Sequence, residues 1–389
     1  MCQPDRHGLL DRQKYFSRPL IGDTDILVIH NSKLLDLLKY RYSLCDIHKI
    51  SKFLNEQGTL DFPTLENGLF SAATVGEQFQ YTGYRNVWVR DNIHIAYAHY
   101  IHGQVDKAKK NVRTLAEYFQ TQTPRFEKII KHEASKNEPM NRPHIRFNGE
   151  NLNELDEHWA HAQNDALGYF LWMFCKMSQN GELNPTNEEM KLLALFPKYF
   201  NAVRFWEDED NGHWEEVGKI EASSIGIATA GLRELKILFN NATLHKKSIY
   251  QGEAVSLDFI CNLIDNGMKS LKEILPCECI SESRKKPGEA STKREYDAAL
   301  LFLIFPTGVV DNAMADIILH QVINNLQGEY GIRRYLKDSF WSPNYKEKLP
   351  DVARTADFSN DMSQRDSMIN LGEEAQWCIF DPVISITQL

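Results

Sequence analysis

The sequence predicts an all-α fold, a closed ring of helical hairpins. Three observations carry this reading. Apolar residues recur at helical spacing along most of the chain. Long alternating apolar–polar runs joined by Asn-Gly turns are missing. Roughly ten helical segments are joined by alternately short and long connections, the pattern of hairpins closing on one another. A loose α-solenoid is the rival arrangement, but it needs a repeated sequence period, and none is found.

The elements follow in order. The stretch NSKLLDLLKYRYSLCDIHKISKFL puts Leu34, Leu38 and Ile47 at helical spacing, with Ser32 as a candidate cap. In VDKAKKNVRTLAEYF, Val105, Ala108, Val112, Leu115, Ala116 and Phe119 share one face. AQNDALGYFLWMFCKM is apolar nearly all round, which predicts a buried helix. ASSIGIATAGLRELKILF has small residues in its first turns, so a neighbour can approach closely. Further helices are expected over 187–205, 254–275, 294–305 and 311–326, with Pro197 splitting or kinking the first. The long polar stretches 121–158, 276–294 and 337–372 read as functional or mobile loops.

Composition narrows the function classes. Of 389 residues, 42% are hydrophobic and 25% charged, ordinary for a globular protein with a large core. Seven Trp and fifteen Tyr suit flat, amphipathic ligands such as sugars, and serve equally as core filler. The net charge is −9 and no Lys/Arg stripe follows any segment, so nucleic acid is not an expected partner. The first residues carry charges where a signal peptide needs an apolar run. The longest apolar run, Ala298 to Phe305, is too short to cross a bilayer, so no membrane is expected. Seven scattered Cys, with one C-x-C pair at Cys277 and Cys279, predict neither a zinc site nor a disulfide framework. A reduced cytoplasm fits best.

Four constellations carry chemistry. In GYRNVWVRDNIHIAYAH, Trp88, Arg90 and Asp91 stand at a helix start. There Asp can accept from sugar hydroxyls and Arg can donate a planar fork, or Asp91 can simply cap the helix. In DEHWAHAQNDALGYF, Trp159, His161, Gln163 and Asp165 precede the buried helix. A ligand or a capping network must satisfy them. In YGIRRYLKDSFW, Arg334 and Asp338 are an i, i+4 pair, read either as site residues or as an exposed salt bridge. In FWEDEDNGHWEEV, Glu215 and Glu216 follow Trp214. An indole wall and a neighbouring carboxylate raise a carboxyl pKa, as a general acid requires. The alternative is an acidic first helical turn.

Together and in this order, WVRD, WAHAQND, RYLKD and FWEDEDNGHWEEV resemble the motifs of glucoamylase-type glycoside hydrolases of family 15. They also resemble the related amino-terminal domains of phosphorylase kinase α and β subunits. EASSIGIATAGLREL, YDAALLFLIFP and GEEAQWCIFDP look closer to the kinase-subunit branch. The resemblance implies an (α/α)6 barrel over residues 60–389, with residues 1–59 as an N-terminal helical segment packed on it. It implies inverting exo-hydrolysis of α-glucosidic bonds in oligo- or polysaccharides, with no metal or organic cofactor. By resemblance Arg90 and Asp91 hold the terminal sugar, Trp88 and Gln163 bind substrate with them, Trp159 stacks on sugar faces, and Asp165 supports the pocket. Arg334 and Asp338 bind at or next to the cleavage point, Glu215 is the acid, and Glu216 binds sugar and keeps Glu215 protonated. Two departures stand out: His161 replaces the family Arg, and Gly212 stands near an acidic position of the fungal enzymes.

The base is the weakest expectation. In the family it follows the penultimate barrel helix. Here GEEAQWCIFDPVISITQL resembles the start of that helix, and the sequence ends at Leu389, which implies a barrel without its last helix. Glu373 or Glu374 could substitute, with Glu374 the better candidate because it lies near Trp377; a helix N-terminal charge is the plainer reading. Two functions therefore stand: a glucoamylase-like hydrolase, and a non-catalytic saccharide-binding or regulatory pseudo-glycosidase. Protein partners are not legible.

Overall fold

Helical spacing along the sequence becomes two layers of helices in the computed structural model, which describes residues 15–20, 23–28, 32–39, 41–73, 83–282, 292–350, 353–370 and 372–387. The chain divides into two units, Met1–Phe62 and Pro63–Leu389. The charged N-terminal run considered for a signal peptide lies largely outside the described residues.

The first unit is not the purely helical segment expected. Strands β1 (Tyr15–Leu20) and β2 (Asp23–Val28) form an antiparallel hairpin, in register from Tyr15 opposite Val28 to Leu20 opposite Asp23. The expected long helix breaks into a single turn, Ser32–Leu35, and helix α1, Leu44–Glu56. Its cap is Ser43 rather than Ser32. Ser43 Oγ accepts from the Asp46 amide, and the Asp46 carboxylate accepts from the Ser43 amide. This reciprocal box is a stronger stop than helical spacing is a continuation.

In the second unit the helices α2 (Val89–Ile101), α3 (Val105–Thr121), α4 (Thr123–Ile130), α5 (Asn164–Gln179), α6 (Asn187–Val203), α7 (Ala222–Phe239), α8 (Leu257–Ile274), α9 (Asn312–Leu326) and α10 (Phe380–Thr387) follow one another. The expected helix over 294–305 is a tighter 3₁₀ helix, Ala298–Leu303, capped by Asp297, whose Oδ1 accepts from the Ala299 amide at 2.8 Å. Helices α2, α5, α7, the 3₁₀ helix and α10 touch in sequence as an inner layer. Helices α3, α6, α8 and α9 pack behind them. Each inner helix except α10 thus pairs with an outer one, and the unit is a helical toroid with no closed sheet among the described residues.

The burial pattern explains the layering. Helix α5 is buried on every face, as its apolar sequence requires. Helix α3 buries Ala108, Val112, Leu115, Ala116 and Phe119 and presents its lysines outward. Helix α6 runs through Pro197 unbroken and starts at a Thr186–Glu189 capping box. Helices α5 and α7 meet backbone to backbone: a Cβ at Gly168 would lie 2.7 Å from Ala228 Cα, and one at Gly231 would lie 2.7 Å from the Gly168 carbonyl oxygen. Only glycine permits this approach.

The segments at the starts of α2, α5 and α7 carry three of the four motifs found in the sequence, and the fourth follows α9. Most of the polar stretch 337–372 belongs to an excursion with its own small core of Tyr345, Leu349 and Met368, against which Phe340, Trp341, Ala353 and Phe358 pack.

Candidate active site

At the N-terminal ends of the inner helices lies a cavity of about 210 Å³. Trp88, Arg90, Asp91, Trp159, Glu215 and Arg334 line it, so the structure brings together residues from four separate motifs. His213, Trp214, Tyr84, Phe340, Tyr345 and the segment Thr355–Phe358 complete much of the wall.

Arg90 organises one side. Its Nε donates to Asp165 Oδ2 at 2.7 Å, and its Nη2 donates to Gln163 Oε1 at 2.5 Å and to the Gly212 carbonyl at 2.9 Å. Gln163 Nε2 in turn donates to Glu215 Oε1 at 3.1 Å. Asp165 is fully buried, which disfavours its charge, but Arg90 and His213 hold its pKa below the ordinary value. Arg90 therefore stays charged, and it stands 3.8 Å from Glu215 Oε1. Gln163, expected to bind substrate, and Asp165 do not line the cavity; both accept from Arg90 behind its wall.

Glu215 lines the cavity with its charge disfavoured. Burial raises its carboxyl pKa, only partly offset by Arg90 and Gln163, and Asp91 raises it further. Its backbone is left-handed, φ 57°, a strained conformation for a side chain with a Cβ. Such strain persists where surrounding contacts over-determine it. The turn is anchored by Gly212, φ 55°, where a Cβ would fall 1.4 Å from Glu221 Oε2. Trp214 lines the cavity beside Glu215, and its Nε1 donates to Asp297 at 2.9 Å.

Asp91 does not cap its helix. Helix α2 has Trp88 as N-cap with no side-chain hydrogen bond, and Asp91 makes none among the described residues. Its carboxyl lines the cavity, and burial raises its pKa. Trp88 and Trp159 meet edge to face at 5.8 Å, and the Arg146 guanidinium lies over both rings. His161 faces no ligand: it stacks on His144 at 3.7 Å, and burial holds its pKa well below the ordinary value.

Three expectations are corrected. Arg334 and Asp338 are not an exposed pair but a buried bidentate one, at 2.6 and 2.7 Å, and only Arg334 lines the cavity. Glu216 does not reach the cavity. Its Oε2 accepts from Arg294 at 2.8 Å, its Oε1 accepts from Arg365 at 2.5 Å and from the Tyr335 hydroxyl, and Lys219 and Arg334 stand at 3.8 and 3.7 Å. Burial opposes its charge, but these cations hold its pKa well below the ordinary value. It is not placed to touch a sugar in the cavity, and burial and Asp91, not Glu216, raise the Glu215 carboxyl. Glu374 is also occupied: it accepts from the Lys337 amide at 2.7 Å and the Gly372 amide at 3.0 Å, beside Arg333. It ties two loops together and does not line the cavity.

Sequence reasoning missed Arg365, Tyr84, Phe340, Tyr345 and Asp357. Arg365 sits in the polar stretch MSQRDS, where no motif marks it. Asp357 accepts from the Ser359 amide at 2.8 Å and pairs with His158 Nδ1 at 2.8 Å. Among the described residues no cluster of His, Cys, Asp or Glu could hold a metal ion. No described helix is long and apolar enough to cross a membrane.

With this geometry in hand, comparison with known proteins is specific. The model of the glycosyl hydrolases family 15 matches residues 58–341. The chain belongs to this family. Among curated family relatives, phosphorylase b kinase regulatory subunit alpha, liver isoform, of Mus musculus is 27% identical over 292 residues, 67% of this chain and 22% of that one. The skeletal muscle isoform of Oryctolagus cuniculus is 25% identical over 289 residues, 67% of this chain and 21% of that one. The chain therefore spans about a fifth of the length of these relatives. Among solved structures, a glycosidase variant superposes with a TM-score of 0.60 at 14% identity, covering 89% of this chain and 92% of the other. A second glycosidase variant, in complex with glucose, gives 0.58 at 13% identity over 89% and 92%. These two likenesses speak for the fold alone.

Proposed function

We propose that the cavity binds the terminal unit of an α-glucoside and that Glu215 protonates the glycosidic oxygen as it leaves, in an inverting, glucoamylase-like hydrolysis. The observation that carries this reading is Glu215 itself. It lines the cavity with a raised pKa, is held from behind by Gln163, and stands beside an indole and a second carboxyl, Asp91. Indoles offer apolar faces to a sugar ring, while Asp91 and Arg334 offer an acceptor and a donor to its hydroxyls.

A second reading has a specific observation in its favour. Inversion needs a second carboxylate about 6.5–9.5 Å from the acid, with room for water between them. Glu374, the better of the two candidates from the sequence, is taken up by backbone amides. Saccharide binding without turnover, in a regulatory role like that named in the relatives' description, fits this, and such a role carries protein partners with it.

Release of glucose from maltose, isomaltose, trehalose and maltotriose, with the product anomer recorded by NMR, tests the proposal. β-Glucose from any of them supports inverting hydrolysis. Calorimetric binding without release supports the regulatory reading. Neither binding nor release by any of the four rejects both.

A further inference from the structure

Two arginines of the cavity wall are half used. Arg334 gives Nε and Nη2 to Asp338 at 2.6 and 2.7 Å. Arg365 gives Nε to Ser339 Oγ at 3.1 Å and Nη2 to Glu216 Oε1 at 2.5 Å and the Tyr335 hydroxyl at 3.2 Å. In each the remaining nitrogen, Nη1, makes no hydrogen bond among the described residues, and both residues line the cavity. Both guanidinium groups lie over the ring of Phe340, at 4.6 and 5.9 Å, and Arg334 also lies over Trp214, next to the acid. The two donors are thus held rigidly, from opposite ends of the excursion that begins after Lys337.

The carboxylates around them are shared. Arg294, Arg334, Arg365 and Lys219 all stand within 3.8 Å of the single carboxylate Glu216, and Asp338 serves Arg334 and, at 3.8 Å, Arg365. Asp297 is engaged by Arg294, Glu221 by Lys219 and Asp357 by His158. Burial raises the pKa of Asp297, Glu221 and Asp366 and, on the cavity side, of Asp91 and Glu215. Buried guanidinium groups with open donors are left incompletely paired until an anion completes them.

We propose that Arg334 and Arg365 form an oxyanion-accepting subsite beside the acid, so that the preferred ligand is a glucoside whose second unit carries a phosphate ester. Guanidinium donors in a fixed plane match phosphoryl oxygens. This deepens the proposed function and rests on it. Arg365 is the specificity-determining residue, because Arg334 alone would serve a neutral sugar equally well.

The test is calorimetric titration of the whole chain with maltose and with α-maltose 1-phosphate, in about 0.05 M and about 0.5 M salt. The phosphate is expected to bind about tenfold more tightly or better, the return on one or two charge-assisted hydrogen bonds. Added salt should narrow the gap while leaving maltose unaffected. Arg365→Gln should close it to within about threefold, and Arg365→Lys, which keeps a charge opposite Glu216, should leave it intermediate. Thermal melts establish that each variant is folded. Should Arg365→Gln fail to fold, the lysine variant and the salt series decide. Maltose binding with equal or weaker binding of the phosphate overturns this inference alone. A gap unchanged in the folded Arg365 variants, or insensitive to salt, does the same. No binding of either sugar overturns the proposed function as well.

Discussion

Glu215 is held in a left-handed backbone conformation, against charge-disfavouring burial, by Gln163 and Arg90. Both features are costs that function explains better than folding does. Two outcomes follow for Glu215→Gln. Turnover of a cleaved glucoside should fall by about 10²–10⁴, with sugar affinity retained, as read by glucose release and calorimetry. Stability should move the other way. The folded pKa lies above the roughly 4.3 of an unfolded glutamate, so near neutral pH the ionised carboxylate is harder to bury than to leave in water. The variant should melt at a higher temperature than the parent at pH 7, and the difference should vanish as pH falls towards 4. A lower melting temperature at pH 7 would mean that the Arg90 and Gln163 contacts outweigh burial. Asp91 offers a contrast. It makes no hydrogen bond among the described residues, so Asp91→Ala should leave the unliganded melting temperature unchanged or higher while abolishing the thermal shift given by maltose.

At the scale of the elements, loops are pinned to helix starts by buried charge. Arg142 grips Asp208 in a bidentate pair at 2.6 and 3.0 Å, and Asn164 at the start of α5 donates to the same carboxylate at 3.1 Å. Burial opposes the charge of Asp208, but Arg142 holds its pKa below the usual range. That lies under the roughly 3.9 of an unfolded aspartate, so the stabilisation is complete above about pH 4 and is lost as pH falls through the folded value. Asp208→Asn should cost about 3–5 kcal/mol at neutral pH, because it strands a buried guanidinium. Its melting temperature should also fall less steeply than the parent's between pH 4 and 2. The contact of α5 with α7 gives a second outcome. Gly168→Ala forces a methyl against Ala228 and should destabilise by about 1–3 kcal/mol in denaturant titration.

Across the whole molecule, what was legible in the sequence was what is local in it. Helical periodicity and the four motifs are local patterns, and three of the motifs stand just before an inner helix or at its start, so folding gathers Arg90, Asp91, Trp159 and Glu215 at one end, where Arg334 joins them from the segment after α9. Glu216 was misread because its partners Arg294, Tyr335 and Arg365 lie 78, 119 and 149 residues away in sequence. Glu374 was misread because backbone amides, which carry no sequence signature, occupy it. The β1–β2 hairpin escaped, and the helix expected over 294–305 was given the wrong winding, because short elements leave too few residues for periodicity to show. A ligand in the cavity would bridge segments that lead into several inner helices. Maltose at a hundred times its Kd should therefore stabilise the fold by about 2.7 kcal/mol, read as a rise in the melting temperature.

The backbone contact between α5 and α7 also sets a tolerance. Gln163 ends the loop before α5, and Glu215 lies in the loop that leads to α7, so their 3.1 Å hydrogen bond is gauged by two helices that touch without side chains between them. Elsewhere in the inner layer a substitution can be absorbed by neighbours repacking. At Gly168 and Gly231 there is nothing to repack, and any added atom becomes a displacement of the acid relative to its support. An error of about 1 Å in such a placement is worth about a hundredfold in rate. These two glycines, neither of which lines the cavity, therefore act as the spacer against which the proposed acid is aligned.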